Sequence, residues 1–261
     1  MDFDNLDLNS ISKFLNTKYL GRNYLYYKEI DSTNTKAKEI AKKNNTDFSV
    51  VTSEIQTKGT GRFNRAWQSP KGGIWTSLIL KPDISPNKAN KITLIAAASV
   101  FKVLSELNIA CKIKWPNDIY INNKKFCGIL TLMNCNPQKI KHIIVGVGMN
   151  INIKKDDFKS NLNATSLLIE KNTEYNRAKI LAHFLNHFEN LYDKFIEKDD
   201  LSEVIEICRN NLLFLNKDAN LVTPKNTETV TCIGIDNDGE LIVKDSKGNF
   251  KKVISGEITF K

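Results

Sequence analysis

The first clear pattern in the chain is a short apolar run that gives way to helical spacing. Residues 24–30 are aromatic and β-branched, which predicts a β-strand. The polar segment 31–34 that follows offers side chains suited to a helix N-cap. Ala37, Ile40 and Ala41 continue at helical spacing, so a helix is predicted directly after the strand. This part of the chain therefore predicts a strand–turn–helix unit.

Between residues 48 and 195 the apolar positions alternate between strand-like runs and helical stripes. Strands are predicted at 48–54, 74–80, 112–115, 119–121, 126–133 and 140–147. Helices with apolar stripes are predicted at 86–107 and 177–195. A hairpin turn is predicted at Asn122-Asn123-Lys124, and a long loop rich in Gly, Thr and Arg at 55–73. The mixture predicts an α/β catalytic domain in which helices pack against a mixed sheet.

The pattern changes near the C-terminus. From about residue 219 polar and apolar positions alternate with a period of two, and Asp238-Gly239 and Lys247-Gly248 are typical turn sequences. This alternation predicts a small all-β module of four or five short strands. We therefore expect two domains, residues 1–214 and 215–261, with the boundary inside the segment 212–218.

Composition narrows the class of protein. The 261 residues are 41% hydrophobic, enough for a packed core, and no apolar run reaches the roughly 20 residues that span a bilayer. The first residues are acidic and do not resemble a secretory signal. The five cysteines are odd in number and form no C-x-x-C pair, which favours buried thiols over disulfides or a zinc ribbon. A cytoplasmic protein is expected.

The formal net charge of +9 fits three kinds of partner. Nucleic acid, an anionic small molecule such as ATP, and an acidic protein surface would each be attracted. Much of the excess is scattered lysine in a sequence rich in Lys, Asn and Ile, so a solvated basic surface explains the charge equally well.

The segment 56–67, which we call the glycine–arginine loop, carries the strongest candidate chemistry. Gly59 and Gly61 allow a tight turn that presents backbone N–H groups inward, a concavity suited to carboxylate or phosphate oxygens. Arg62 and Arg65 add fork-shaped donors for the same anions. Trp67 can stack on a base. The loop is not a Walker A motif, and an ordinary surface loop remains the alternative.

A second polar cluster lies at Lys114-Trp115-Pro116-Asn117-Asp118. Proline restricts the backbone, so Asn117 and Asp118 sit at a strand junction where side chains can be aimed into a cleft. The aspartate suits a Mg²⁺ or an ammonium partner, whereas a simple Asx turn is the alternative. Lys125 follows the hairpin turn, with Gly128 close behind, and can reach a phosphate unless it is an ordinary edge-strand lysine.

Together these segments resemble the biotin–protein ligase family, from about residue 24 to the end, in order and at the expected spacing. The resemblance rests on the following blocks: Ser32-Thr33-Asn34, Gln56 to Trp67, Lys114 to Asp118, Lys125 to Leu130, Gly146-Val147-Gly148-Met149-Asn150, Ala164 to Leu167, and Gly256-Glu257-Ile258. Each block alone is weak evidence for the family, whereas their combination in this order is highly specific to it.

The resemblance implies a fold and a reaction. The implied fold is α+β, a mixed sheet with helices of the class II aminoacyl-tRNA-synthetase-like type, followed by a small SH3-like β-barrel. The implied reaction is the ATP- and Mg²⁺-dependent activation of biotin to biotinyl-5′-AMP. Biotin is then transferred to a lysine of a carboxyl carrier protein, the domain modified in a biotin-dependent carboxylase.

The resemblance also implies roles for individual residues. Biotin would be bound by Ser32, Thr33, Asn34, Gln56, Gly59, Thr60, Gly61, Arg62, Lys125 and Gly128. ATP and the adenylate would be bound by Arg62, Arg65, Trp67, Lys125 and Asn150. Catalysis would use Arg62, Lys125, Asn117 and Asp118, with Asp118 positioning either Mg²⁺ or the incoming lysine.

The chain departs from the family pattern within the loop, where Thr60 and Asn64 replace an arginine and a glycine. Retention of the adenylate is expected to differ, whereas Arg62 is kept. Only about 23 residues precede the first matching strand, too few for the winged helix of repressor-type members. DNA binding is therefore not expected, nor is a membrane, while a homodimer is compatible with the resemblance.

Three other interpretations fit parts of the sequence. A lipoate or octanoyl ligase shares the general fold, but the Trp-containing Lys114–Asp118 block and the β-rich tail favour biotin. A nucleic-acid-binding protein fits the charge, although no basic stripe with interleaved aromatics is present. His183 and His187 are spaced i, i+4 on a predicted helix, yet they lack the glutamate of a zinc H-E-x-x-H motif and are expected to be partly exposed.

Overall fold

The computed structural model describes residues 4–43, 46–158, 163–223 and 226–261. The strands are β1 (Tyr24–Ile30), β2 (Val50–Gln56), β3 (Ile74–Leu80), β4 (Lys112–Lys114), β5 (Asp118–Ile121), β6 (Lys124–Cys135), β7 (Ile140–Met149), β8 (Asp218–Val222), β9 (Thr227–Ile235), β10 (Leu241–Lys244), β11 (Phe250–Val253) and β12 (Glu257–Thr259). The helices are α1 (Leu8–Ser12), α2 (Thr33–Ala41), α3 (Ala89–Glu106), α4 (Leu167–Lys171), α5 (Arg177–Lys198) and α6 (Ser202–Asn210).

The first seven strands form one mixed sheet in the order β1-β2-β3-β7-β6-β5-β4. β1 and β2 are parallel, because α2 carries the chain back between them, and the remaining neighbours are antiparallel. The predicted strand–turn–helix unit is confirmed, with Ser32 as the N-cap of α2. The mixed α+β architecture that the sequence predicts is therefore confirmed.

The two faces of this sheet bury different sets of side chains. Val50, Leu78 and Val145 point toward α3 and α5, where the main core lies. Val51, Ile79 and Ile144 point the other way and pack against α2. Strand residues alternate between faces, so this division follows directly from the sequence.

Helix α2 covers only one end of its face. At the other end the floor is made of small and polar residues: Ser53, Ser77, Gly128, Gly146 and Gly148. These residues cannot supply an apolar surface for a second helix, so this end of the face is left open. The open end holds the candidate site.

The last five strands form a separate antiparallel sheet in the order β11-β10-β9-β8-β12. This confirms the predicted C-terminal β module, whereas the division at 214/215 stays a prediction. The sheet is fixed to the first by its β9–β10 turn, where Gly239 carbonyl accepts a hydrogen bond of 3.0 Å from Trp115 Nε1. Lys91 and Asp238 form an ion pair of 3.0 Å beside it.

The predicted long elements are confirmed within a few residues of their ends. The strand predicted at 48–54 begins and ends two residues later, and the helix predicted at 86–107 opens with a 3-10 turn before α3. The sequence interpretation missed α1, α4 and α6, which have five to nine residues each and are too short for an apolar stripe to stand out.

All five cysteines are free thiols, four of them buried and Cys135 exposed. Within the four described ranges, the helices are all too short or too polar to cross a bilayer.

Candidate functional site

A cavity of about 220 Å³ opens above the glycine-rich end of the sheet. The glycine–arginine loop forms one wall and β12 of the C-terminal sheet contributes another. The predicted site residues that line it are Ser32, Thr33, Asn34, Gln56, Thr60, Gly61, Arg62, Arg65, Trp67, Asn117, Asp118, Lys125 and Gly128. Segments separated by almost a hundred residues along the chain thus meet in one place.

The floor of the cavity consists of glycines that allow two side chains to lie directly on the sheet. A Cβ at Gly146 would lie 2.3 Å from Asn34 Oδ1. A Cβ at Gly148 would lie 2.6 Å from Trp67 Nε1, and one at Gly128 would lie 3.0 Å from the same indole. Gly128 and Gly148 are paired neighbours on β6 and β7. These glycines therefore serve side-chain contacts and do not form a phosphate loop.

A polar end of the cavity is built around the start of α2. Gln56 Oε1 accepts hydrogen bonds from the Thr33 backbone N–H at 2.8 Å and from its hydroxyl at 3.1 Å. The hydroxyl of Ser77 on β3 lies 2.7 Å from Asn34 Oδ1. The Gln56 amide in turn donates to Ser69 Oγ at 2.8 Å. These bonds fix the side chains in a buried network, which holds them in one orientation.

The glycine–arginine loop folds as a hairpin. Trp67 N–H donates to Gly59 carbonyl and Gly61 N–H donates to Arg65 carbonyl, each at 2.8 Å. A Cβ at Gly59 would lie 2.5 Å from the Trp67 carbonyl oxygen. The expectation that the loop presents free N–H groups inward is wrong for Gly61, since its donor is used within the loop. Gly59 instead permits the two arms of the hairpin to approach closely.

The tip of this hairpin turns through two residues with positive φ. Phe63 has φ of 55° and Asn64 has φ of 56°. Asparagine tolerates this left-handed conformation better than other residues with a side chain, which explains how it stands where the family pattern has glycine. The exposed Phe63 ring lies between the guanidinium groups of Arg62 and Arg65, at 5.1 and 5.4 Å from the ring centroid.

A cationic end of the cavity surrounds Asp118. Lys125 Nζ lies 2.8 Å from Asp118 Oδ1, and Lys114 Nζ lies 3.7 Å from Oδ2. Asn117, held through its amide to the Ile129 carbonyl, accepts a hydrogen bond of 3.1 Å from Arg62 Nη1. Burial lowers the pKa values of Lys114 and Arg62, against the opposing pull of the nearby carboxylates. The cations are thus partly desolvated, which strengthens their attraction for an anion.

Glu257 on β12 brings a second carboxylate to the same end. Its Oε1 lies 2.8 Å from Arg65 Nη1 and 3.7 Å from Lys114 Nζ. Burial would raise the pKa of this carboxyl, but the hydrogen bond from Arg65 and the charge of Lys114 hold it below its usual range. Glu257 is therefore ionised at neutral pH.

Trp67 separates the two ends of the cavity. Lys125 Nζ lies 5.1 Å from its ring centroid, and the Trp75 ring meets it edge-on at 6.4 Å. The buried Nε1 of Trp67 finds no hydrogen-bond acceptor within the described part of the chain. A buried donor without a partner is costly, and this N–H lies against Gly148 on the floor of the cavity.

Asp118 does not suit Mg²⁺. Each of its carboxylate oxygens faces an ammonium group, so a divalent cation at this position would be repelled by Lys114 and Lys125. The geometry fits the ammonium alternative, and no step is assigned to a metal ion at Asp118.

Two predicted site residues do not line the cavity, namely Gly59 and Asn150. The Asn150 side chain is buried and donates a hydrogen bond of 3.0 Å to the Thr165 carbonyl. The backbone N–H of Thr165 donates to the Lys125 carbonyl, also at 3.0 Å. Asn150 therefore supports the segment that holds Lys125.

Sequence interpretation missed Lys114, Glu257 and the glycines Gly146 and Gly148 as parts of the site. Lys114 and Glu257 were noted only as members of the family motifs. The hydrophobic pattern of the sequence does not indicate that the C-terminal strand lies next to the loop.

His183 and His187 lie away from the cavity on α5. Each imidazole bonds to one oxygen of the Glu106 carboxylate, at 2.7 and 2.6 Å.

Replacement of Gly146 by alanine is expected to raise the KM for the bound substrate about tenfold, because the new methyl group would displace Asn34. Gly234→Ala is the matched control, since a Cβ at Gly234 has no atom within 4 Å. Steady-state kinetics of both variants check this. Equal KM values for the two variants would contradict the placement of Asn34 at the substrate.

The family model described as "Biotin/lipoate A/B protein ligase family" matches residues 26–150. The "Bifunctional ligase/repressor BirA" of Bacillus spizizenii is 35% identical over 248 residues, which cover 94% of this chain and 76% of that protein. The "Biotin--[acetyl-CoA-carboxylase] ligase" of Paracoccus denitrificans is 32% identical over 127 residues, covering 46% of this chain and 51% of that protein.

Among solved structures, the biotin protein ligase from Aquifex aeolicus in complex with biotin and ATP matches the fold with a TM-score of 0.77. The two chains are 27% identical, and the match covers 91% of this chain and 98% of that one.

Proposed function

Because the chain belongs to the biotin/lipoate A/B protein ligase family, we propose that it is an ATP-dependent biotin–protein ligase. It activates biotin to biotinyl-5′-AMP and transfers the biotinyl group to a lysine of a carboxyl carrier protein. The related Aquifex enzyme is described with biotin and ATP, and the Paracoccus relative by its acetyl-CoA-carboxylase substrate.

The observation that most supports this function is the polarity of the cavity. Asn34 lies beside Gly146, and Gln56 is bonded to the neighbouring Thr33. At the other end Lys125 lies beside Gly128, which pairs with Gly148. Two residues along a strand span about 7 Å. Biotin has the same arrangement, with a polar ureido ring at one end and a carboxylate at the other. Lipoate has an apolar dithiolane ring, which offers no hydrogen-bond partner to the half-buried Asn34 amide.

In the first half-reaction a biotin carboxylate oxygen attacks the α-phosphorus of ATP. The new bond is O–P, the α–β P–O bond breaks, and pyrophosphate leaves. Arg62 and Lys125 stand at the cationic end and offset the repulsion between the carboxylate and the phosphates. They also stabilise the charge that grows on the phosphoryl oxygens. Arg65 binds the phosphates beside them, and the Trp67 ring on the floor of the cavity helps to hold the adenylate.

In the second half-reaction the amine of the acceptor lysine attacks the carbonyl carbon of the mixed anhydride. A C–N bond forms, the C–O bond to AMP breaks, AMP leaves, and the proton lost by the nitrogen passes to solvent. Asp118 is already charge-balanced by Lys114 and Lys125, so its carboxylate is suited to accept a hydrogen bond from the neutral amine and to orient it. Asn117 keeps the Arg62 guanidinium beside this position.

The remaining features follow from the same proposal. Mg²⁺ would enter with ATP, bound to the phosphate oxygens that it prefers. The catalytic domain, residues 1–214, has the class II aminoacyl-tRNA-synthetase-like fold, and the C-terminal sheet is an SH3-like barrel that helps the sheet edge to dock the carrier domain. We propose that the enzyme acts without binding DNA. β1 is an edge strand of the sheet in the described part of the chain, which is compatible with a homodimer.

The first half-reaction provides the direct test. Biotin-dependent exchange of labelled pyrophosphate into ATP should be seen with the purified chain and should not be seen when lipoate replaces biotin. Exchange that is equal with both acids would favour the lipoate ligase alternative, and no exchange with biotin would contradict the proposal.

A further inference from the structure

Both arginines of the glycine–arginine loop end on the C-terminal sheet. Arg65 Nη1 donates to Glu257 Oε1 at 2.8 Å, and Arg62 Nη2 donates to the Gly256 carbonyl at 2.9 Å. These contacts join residues 192 and 194 positions apart in sequence. The loop tip is therefore held by a neighbouring sheet as well as by its own hairpin bonds.

The anchor for these contacts is a hydrogen-bonded strand. Glu257 lies on β12, which pairs with β8 through Glu257 and Val222. The sheet is fixed to the catalytic domain by the bond from Trp115 to Gly239. A loop that attaches to this anchor gains order even when the cavity is empty.

In the proposed reaction the guanidinium N–H groups of these two arginines must bind the phosphates of ATP. A guanidinium forms its strongest contact with phosphate through two parallel N–H donors, and one of those on Arg65 is occupied by Glu257. Four cations and two carboxylates meet here, so the cluster carries a net formal charge of +2: Arg62, Arg65, Lys114, Lys125, Asp118 and Glu257. The carboxylate of Glu257 occupies the position of an anion next to Arg65.

We infer that Glu257 is a positioning residue that holds Arg65 and the loop in the empty enzyme and releases them to the phosphates when ATP binds. The inference rests on the proposed function, because it takes the phosphates to be the competing anion. The Oε2 atom of Glu257 is buried and accepts no hydrogen bond within the described ranges. The bond from Arg65 to Oε1 is therefore the main contact of this carboxylate. When Arg65 leaves, Lys114 at 3.7 Å still balances the carboxylate.

Glu257→Gln tests this exchange, because it keeps the shape of the side chain and removes its charge. The loop should be loosened, so trypsin should cleave the ligand-free variant at Lys58, Arg62 or Arg65 about threefold or more faster than the parent chain. Pyrophosphate, which carries phosphates without a base or ribose, should bind about threefold or more tightly in calorimetry at low salt, since one competing negative charge is gone.

Glu228→Gln is the matched control. Glu228 also lies on the C-terminal sheet and pairs with a lysine, Lys251, at 3.0 Å, but it does not line the cavity. In the Glu228→Gln variant, the rate of loop cleavage by trypsin and the affinity for pyrophosphate should equal those of the parent chain. In steady state, Glu257→Gln should lower the KM for ATP and leave the KM for biotin unchanged. A side chain that only supports the fold would not produce tighter binding of one substrate.

Unchanged or weaker pyrophosphate binding by Glu257→Gln, or unchanged cleavage of its loop, would overturn the inference. An identical effect of Glu228→Gln on pyrophosphate binding would overturn it too, because the effect would then be general to the protein charge. Biotin-dependent ATP–pyrophosphate exchange by the parent chain is measured in parallel. If exchange is normal while Glu257→Gln behaves as the control, the proposed function stands and only this inference fails.

Discussion

Replacement of Lys125 by alanine is expected to slow biotinyl-5′-AMP formation by about a hundred- to a thousandfold, the range found when one preorganised donor to a developing charge is removed. The reason is its place in the cavity. Its ammonium group lies 2.8 Å from Asp118 and 5.1 Å from the Trp67 ring centroid, at the end of the cavity where the biotin carboxylate and the α-phosphate would meet. Single-turnover formation of the adenylate is the measurement.

Lys124→Ala is the matched control for this variant. Lys124 is the neighbouring residue on the same strand, but it is exposed and does not line the cavity. Its adenylate formation should stay within about twofold of the parent rate, as for a surface substitution. If the two variants were equally active, Lys125 would have no part in the chemistry.

Replacement of Arg62 by alanine should lower the same rate by about a hundredfold. The guanidinium is half-buried, and it is positioned by Asn117 at 3.1 Å and the Gly256 carbonyl at 2.9 Å. Burial has removed part of its hydration, so the group is prepared to receive an anion. Arg62→Lys keeps the charge but loses the planar fork, and it should recover only part of the activity.

Arg22→Ala serves as the control for the loss of an arginine. The Arg22 side chain donates to the Thr17 carbonyl at 2.7 Å and does not line the cavity. Adenylate formation should be normal in this variant when its Tm is close to that of the parent chain. An Arg62→Ala enzyme as fast as Arg22→Ala would remove Arg62 from the proposed mechanism.

Much of the fold was predictable because it depends on local patterns. The strands Ile74–Leu80 and Tyr24–Ile30 were predicted to the residue, since their apolar and β-branched runs are bounded by turns. The start of α2 followed from the N-cap chemistry of Ser32. Sheet order was not predictable, because it depends on pairings between strands that lie far apart in the chain.

The site was predictable only in part. Family blocks identified the segments that meet in the cavity, and the loop arginines and Lys125 do line it. The roles of the glycines could not be predicted, because the same residue suits a phosphate cradle and a close contact with Trp67 or Asn34. Glu257 was missed because nothing near it in sequence indicates that β12 faces the loop tip.

The most direct test of the central claim is ATP-dependent transfer of biotin to the carboxyl carrier domain of a biotin-dependent carboxylase, detected by streptavidin blot. The proposed mechanism predicts transfer by the parent chain that requires both biotin and ATP and is lost in Lys125→Ala. It also predicts no transfer of the lipoyl group when lipoate replaces biotin, measured by mass spectrometry of the carrier. No biotin transfer by the parent chain, or equal transfer with lipoate, would contradict the claim.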